Sequence, residues 1–582
     1  MIVCHRVPLK KGSGYTLQIE RSKGESRTKK YLSSIYNPQE EAEKWAQEAF
    51  EPEARAYAVY GIGALYHIEA LCRKISQQKK TIKLILIEPF EEVRKVMEEE
   101  PRLQNLLKED FVRRISSLEE VDLRGQIGSF LTAEEIKTMK ALVYPSYQGL
   151  DLSLERLFLQ VVKNLKVQTI LTRNTLYYFK DCFPENLIRN AKYLLHAPRI
   201  ETIENLFPGR TAVVVSAGPS LEKNIEVLKE YRDQVLIISG GRSLKALLKR
   251  GIEPHFVCSV DSHEINHRLY QSMEILDCGF PLVCSWGNHY GIVRDYQGEK
   301  IFFNDSGLSD LDRRLFGERV GSLTVGLTVA SLQVSLAELL GCGTILFIGQ
   351  DMAYAEGRQY GEDTASSIDK KTEEGGFFEV RGNVQDKVRT NYELDSFRVY
   401  LEGQIRGMKG CKFINATEGG AYMKGTEVRS LKEALDAHAG EKEEFHGLIE
   451  KALIKRKDER KKEGFAQNLR DMLEDAKKLE SYGKEGLKLS MRVSLDFHKN
   501  KPILKKLEAI DEKIGSVKES TELSNYFIQE ELHLLGEKTA EELKDKEIIA
   551  QTRLLYRSIM QAGEKMRVLL ESELKNLEGF GY

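Results

Sequence analysis

Between residues 201 and 427, short apolar runs rich in β-branched residues alternate with polar turns and helical segments. This rhythm restricts the fold more than any other feature of the chain. TAVVVSAGPSL is an apolar run, a Gly-Pro-Ser turn and a helix start. QVLIISGGRSL repeats the pattern, and PHFVCSVDSHE is a third run ending in polar residues. GTILFIGQDMAY is a fourth, and the apolar helical stretch TVASLQVSLAELLG precedes it. Such alternation predicts a mostly parallel sheet with helices on both faces. Ligands of such sheets bind beyond the carboxyl ends of the strands, where the polar residues named below fall.

The remainder of the 582-residue chain reads differently on either side. Residues 1–200 mix strand and helix patterns, and residues 428–582 read as helix nearly throughout. The boundaries therefore expected are a smaller α/β domain at 1–200, a central α/β domain at 201–427 and an all-helical domain at 428–582. In the last zone Phe465, Leu469, Met472, Leu473, Ala476 and Leu479 follow helical spacing, as do Leu555, Ile559, Met566 and Leu570. These stripes have to bury against something, either within the chain or against a partner helix.

With 87 Lys+Arg against 89 Asp+Glu, the net charge is -2, which lacks the basic surplus that drives nucleic-acid binding. No run approaches the roughly 18 apolar residues a membrane span needs. The opening MIVCHRVPLKK does not read as a secretory signal. The eight cysteines form no CxxC pair and are read as buried free thiols of a reducing compartment. Together these features point to a soluble cytoplasmic protein.

Ser216-Ala217-Gly218-Pro219-Ser220-Leu221 is the sharpest motif. Gly218 permits close backbone approach, and Pro219 suits a first helical turn. Ser220 either caps the helix or meets a phosphate or ribose, and amides at the helix start favour an anion. Ser239 and Gly240 open a second turn, where Arg242 suits a phosphate or carboxylate. Asp261 and Asp351 end the third and fourth strands. A carboxylate there orients a sugar hydroxyl, acts as a base, or simply caps the next helix. Asn415-Ala416-Thr417-Glu418-Gly419-Gly420 offers a dense set of hydrogen-bonding groups.

His263-Glu264-Ile265-Asn266-His267 matches HExxH, which on a helix places two imidazoles on one face to bind zinc. It directly follows a sheet strand, however, and lacks a convincing third ligand. Ala58 to Gly63 reads as a strand feeding a glycine turn, with Glu88 ending the next strand 25 residues after Gly63. That arrangement is either a nucleotide site or a structural layer, and Tyr66 stands where a third glycine is wanted. GGAYMKGTE lacks the Lys-Ser/Thr of a Walker A loop, and there is no G-x-S-x-G elbow.

Taken in order, VVVSAGPSLEKNI, the VLIIS strand, GIEPHFVCSVD, LGCGTILFIGQDMAY and NATEGGAYMKG resemble the motility accessory factor (Maf) family of flagellin glycosyltransferases. VYGIGALYHIEAL and LILIEP resemble that family's N-terminal domain. The resemblance implies a Rossmann-like central domain similar to bacterial CMP-sugar sialyltransferases, and similar to an archaeal pterin pyrophosphokinase.

It also implies a donor, a CMP-activated nonulosonic acid such as pseudaminic or legionaminic acid, and an acceptor, Ser/Thr hydroxyls of flagellin. No metal or cofactor is required. By the same resemblance Ser216, Gly218, Pro219 and Ser220 hold the CMP moiety with Ser239 and Gly240 beside it. Asp261, Gln350 and Asp351 face the sugar, and Asn415, Thr417, Glu418 and Gly419 close the site. Asp351 and His263 are the candidate bases, and Tyr354 or Tyr360 donates to the phosphate. The 428–582 helices are the expected flagellin-docking surface. Two departures stand out: His255 replaces a frequent Asp, and Tyr360 stands near a frequent His. The alternatives are a pterin pyrophosphokinase-like enzyme, a zinc hydrolase using His263, Glu264 and His267, and a non-catalytic flagellin chaperone.

Overall fold

The computed structural model describes all residues except 1, 24–25, 79–81, 306, 307, 309, 356, 365–375, 455–461, 496, 518–521, 537–543 and 580–582. The chain forms two compact units, Met1–Thr175 with Gly536–Ile548, and Leu176–Leu535 with Ile549–Tyr582.

In the first unit β1 (Ile2–Pro8), β2 (Tyr15–Lys23) and β3 (Ser26–Tyr31) form an antiparallel sheet. A second sheet is parallel, with β4 (Ala56–Tyr60), β5 (Lys83–Ile87), β6 (Val112–Ile115) and β7 (Lys140–Val143) in the order β6-β5-β4-β7. β4 is buried along its whole length, as its unbroken AYAVY run requires of a strand covered on both faces.

The glycine turn after β4 is structural. Gly61 has φ +95°, and a Cβ there would lie 2.4 Å from the Tyr147 ring. Glu88, 1% exposed, accepts hydrogen bonds from the Ile62 amide (3.0 Å), the Phe90 amide (3.0 Å) and the Tyr147 hydroxyl (2.7 Å). Burial pushes its carboxyl up to about 7. The space and the acidic residue that suggest a nucleotide in the sequence are consumed by the turn itself.

The second unit is built on β8 (Thr211–Val215), β9 (Leu236–Gly240), β10 (Phe256–Ser259), β11 (Leu282–Ser285), β12 (Lys300–Phe303), β13 (Thr344–Ile348), β14 (Phe378–Arg381), β15 (Lys387–Thr390), β16 (Lys412–Asn415) and β17 (Glu427–Val428). Eight of these make one sheet, ordered β12-β11-β10-β9-β8-β13-β16-β17, and each neighbouring pair is parallel. β14 and β15 form a separate antiparallel hairpin. From β8 the chain steps outward in one direction through β12, then returns to place β13, β16 and β17 on the other side. The switch in direction lies between β8 and β13, where open α/β sheets leave a crevice beyond the strand ends.

The return is made by the helix Val329–Leu339, which is apolar nearly all round and buried from Ala330 to Ala337. One of its buried polar residues, Gln333, donates to the Val215 (3.1 Å) and Ile238 (2.9 Å) carbonyls, satisfying strand carbonyls that water does not reach.

The C-terminal helices include Phe445–Ile454, Lys462–Ser490, Phe497–Gly515 and Asp545–Gly579. Their stripes bury within the chain. Phe465, Leu469, Met472, Ala476, Ala562, Met566 and Leu570 share one core with Leu282, Trp286 and Ile292 of the sheet layer. The helical character expected for 428–582 is therefore present, and part of it packs as a wall of the central unit. Among the described residues no helix is long and apolar enough to cross a membrane.

Candidate functional site

The segments after β8 and β13 meet at the switch point. The Ser216 amide donates to the Ile348 carbonyl (3.0 Å) and the Gly218 amide to the Gly349 carbonyl (2.8 Å). The Ser216 hydroxyl donates to Gln350 Oε1 at 2.5 Å. Asp351 then enters the bend: its Oδ2 accepts from the Ser220 amide (3.2 Å) and the Ser220 hydroxyl (2.7 Å). A Cβ on Gly218 would lie 2.1 Å from the same oxygen, so the carboxylate packs where another residue type would have its side chain. Asp351 is 4% exposed, and burial pushes its carboxyl up to about 6 against the opposing pull of Ser220 and Lys223.

The loop after β16 closes onto the same two segments. Thr417 Oγ1 accepts from the Gln350 amide (3.3 Å), and Asn415 Oδ1 accepts from the Thr417 amide (3.2 Å). Asp351 O accepts from the Ala421 amide (2.7 Å). Glu418 Oε1 accepts from Asn224 Nδ2 (3.2 Å) and the Leu431 amide (3.0 Å), while Lys223 Nζ donates to the Glu418 carbonyl (3.1 Å). Asn415 Nδ2 donates to Asn383 Oδ1 (3.1 Å), and Asn383 Nδ2 donates to the Gly419 carbonyl (2.7 Å). Thus the residues expected from three separate motifs form one bonded set.

On the β9 side, the buried Ser239 hydroxyl donates to the Gly240 carbonyl (2.9 Å) and lies 3.0 Å from Ser243 Oγ. Gly240 is the N-cap of the helix Gly241–Leu248. The Arg242 guanidinium sits 4.4 Å from the Tyr360 ring centroid. Asp261 accepts from the His263 amide (3.1 Å). Burial raises its carboxyl, with His263 and Arg242 pulling the other way. Past Tyr360, the Gly361 amide (2.9 Å) and Thr364 hydroxyl (2.8 Å) both donate to the Ala217 carbonyl, seating this loop on the first turn. The Tyr354 amide donates to the Arg389 carbonyl (2.8 Å), and its hydroxyl accepts from Asn391 Nδ2 (3.1 Å).

Three expectations change at this level. The helix after the Gly-Pro-Ser bend begins at Leu221 with Ser220 as its N-cap, so Pro219 precedes it, and its regular first turn gives way at Ile225–Val227 to a 3-10 turn that breaks the line of peptide dipoles. The Ser220 amide and hydroxyl expected to face a ligand are engaged by Asp351. Asp351 itself, expected as a reacting carboxylate, is buried and bonded to the bend after β8. The half-exposed groups around the bonded set are Ser216, Arg242, Asp261, His263, Tyr354, Tyr360, Glu418 and Gly419.

The HExxH segment does not place both imidazoles on a helix. The helix starts at Glu264, and His263 is its N-cap, with Nδ1 accepting from the Ile265 amide at 3.2 Å. His267 Nε2 lies 2.7 Å from Asp295 Oδ2, and Glu264 pairs with Arg268 at 2.8 Å on the exposed side. Among the described residues no group of three or more His, Cys, Asp or Glu side chains is placed to hold a metal ion. His255 precedes the amino end of β10, where its Nδ1 accepts from the Ile237 amide (2.9 Å), so the departure noted there lies at the far end of the strand from the site.

Sequence reasoning passed over Asn383 and Gln333. Asn383 is one polar residue in the hairpin turn between β14 and β15, and its partners are 32 or more residues away. Gln333 carries a weak signal, the one amide side chain in a mostly apolar helix.

Residues 185–357 match a family model described as 6-hydroxymethylpterin diphosphokinase MptE-like. The stretch is less than a third of the chain. A solved structure of a MAf glycosyltransferase from Magnetospirillum magneticum AMB-1 is similar over 99% of this chain and 93% of that one, with a TM-score of 0.52 and 15% identity. The chain therefore shares the fold of that protein: the α/β architecture with a Rossmann-like sheet and C-terminal helices is the one the Maf resemblance implies. Two proteins of Treponema pallidum (strain Nichols), both described as uncharacterized, are 25% identical over 198 residues and 28% identical over 91. The chain spans 66% and 42% of their respective lengths.

Proposed function

We propose that this chain is a glycosyltransferase that moves a nonulosonic acid from its CMP-activated donor to Ser/Thr hydroxyls of flagellin. The observation that carries the reading is the union of the loops after β8, β13 and β16 at the switch point, on a fold shared along nearly its whole length with a glycosyltransferase. Donor and acceptor are inferences from the resemblance of those loops.

In this reading the C2–O bond of the donor breaks and its electron pair leaves with the CMP phosphate. The acceptor oxygen forms the new bond to C2, and its proton passes to a base. Charge building on the phosphate needs donors fixed in place beforehand. Arg242 and the Tyr354 and Tyr360 hydroxyls supply them. The buried Asp351 orients the Ser216–Ser220 turn, which leaves His263 as the candidate base. Its Nδ1 accepts from the Ile265 amide, which fixes the ring at the start of its helix. The exposed faces of the C-terminal helices are the proposed docking surface for flagellin.

Incubating the purified protein with a CMP-nonulosonic acid and unglycosylated flagellin tests this. The expected result is a flagellin mass increase of one or more sugar residues with matching release of CMP. Formation of AMP from ATP and 6-hydroxymethylpterin, without sugar transfer, would favour the second reading suggested by the match at 185–357.

A further inference from the structure

The hairpin of β14 and β15 has two chemically distinct faces. Phe378, Val380, Val388 and Thr390 are half-buried or buried, while Glu379, Arg381, Lys387 and Arg389 are all exposed. The register pairs Glu379 with Arg389 and Arg381 with Lys387, so the four charged side chains share one face. Three cations face one carboxylate, and Lys387 and Glu379 pair at 3.0 Å.

Candidate residue Tyr354 belongs to this face. It forms an antiparallel bridge with Arg389 on the far side of β15, which places the two side chains on the same side, one strand spacing apart. The Tyr354 hydroxyl bonds Asn391, two residues beyond Arg389, in agreement with that placement. The Arg389 guanidinium lies 4.0 Å from the Phe377 ring centroid, and the Tyr354 ring packs edge-on against the same Phe377 at 5.1 Å. The other end of the hairpin is tied to the site through Asn383, whose amide donates to the Gly420 carbonyl (3.0 Å). A basic surface is thus fixed to the loops of the switch point at both ends.

A guanidinium resting on a ring is restrained, while its N–H donors lie in its own plane and remain suited to a bidentate carboxylate. We propose that Arg389 reads the carboxylate of the donor sugar, making it the residue that selects acidic sugars over neutral ones. The inference rests on the CMP-sugar reading above. In such a donor the carboxylate is attached to C2, the reacting carbon. A fork holding its two oxygens next to Tyr354 would therefore set the orientation of the C2–O bond.

Calorimetric titration of wild type, Arg389→Gln and Arg389→Lys with CMP and with a CMP-nonulosonic acid provides the test. Losing a charge-assisted bidentate contact is expected to weaken donor binding by about tenfold or more, with CMP affinity unchanged. Arg389→Lys, which keeps the charge without the fork, should fall between. The carboxyl methyl ester of the donor should bind wild type and Arg389→Gln equally. Unaltered donor affinity in Arg389→Gln, or an equal loss for CMP and donor, would overturn the proposal. Wild-type protein that takes up neither ligand would overturn the transferase reading, and this inference with it.

Discussion

The carboxylate of Asp351, at the end of β13, accepts both the amide and the hydroxyl hydrogen of Ser220, in the bend after β8. Two neighbouring strands at the switch point are thereby tied by one buried acid. Its carboxyl is raised from 3.8 to about 6, chiefly by burial, so the folded protein binds a proton there more readily than the unfolded chain. Stability from this group is present below about pH 4 and is lost as pH rises through 6. Asp351→Asn, which is uncharged throughout, should therefore gain on wild type as pH rises, by roughly 1–3 kcal/mol across the window. Thermal melting of both proteins at pH 4.5 and pH 7.5 checks this. A difference that is constant or shrinks would mean that the acid is ionised in the fold at low pH.

Gly218→Ala tests how closely that acid packs. The added methyl would meet Asp351 Oδ2 at 2.1 Å and the Gly349 carbonyl at 2.5 Å; the first is buried and held by Ser220, and the second is backbone. A cost of about 1–3 kcal/mol is expected from overpacking alone. Because the strain falls on the turn itself, CMP binding should weaken along with melting temperature. A variant with a lower melting temperature and full CMP affinity would separate the turn from the ligand.

How much of this could be read from sequence depended on whether a signal was local. The strand–turn–helix rhythm exposed β8, β9, β10 and β13 because each is a short apolar run ending in polar residues, and the chain had to bring those ends to one side of a parallel sheet. What the rhythm could not show was which polar groups would bond each other. Ser220 and Asp351 are 131 positions apart, and an acid filling the Ser220 donors looks, in sequence, the same as an acid awaiting a sugar. Asn383 was illegible for the same reason. The glycine turn at Gly61 left a nucleotide site and a structural layer both open in the sequence, because Tyr147, 84 residues downstream of Gly63, supplies the group that occupies it. The HExxH match failed because the helix begins one residue too late for His263 to share a face with His267.

The partners of those histidines give a metal prediction. His263 Nδ1 caps its helix and His267 is bonded to Asp295, so both are committed to protein groups. Dialysis against a chelator should leave thermal unfolding unchanged. His263→Ala should cost about 0.5–2 kcal/mol through loss of the cap. His267→Ala should act through Asp295, and its effect should shrink in Asp295→Asn. Stoichiometric zinc lost together with stability on chelation would restore the metal reading.

The C-terminal helices yield the last prediction, which separates a wall of the fold from a detachable module. Leu469 and Met566, each 0% exposed, lie on different C-terminal helices and share a core with Leu282 and Trp286 of the sheet layer. Truncating either to alanine removes buried methylene groups and leaves a cavity, at about 2–5 kcal/mol. The loss should appear in the same melting transition that CMP stabilises, because the cavity opens beneath the sheet that carries the candidate site. Deleting residues 549–582 would bare that face of the sheet layer, and the expected product is an aggregating chain without CMP affinity. A truncated protein that stays monomeric and keeps wild-type CMP binding, losing flagellin alone, would instead make the helices a separable docking element.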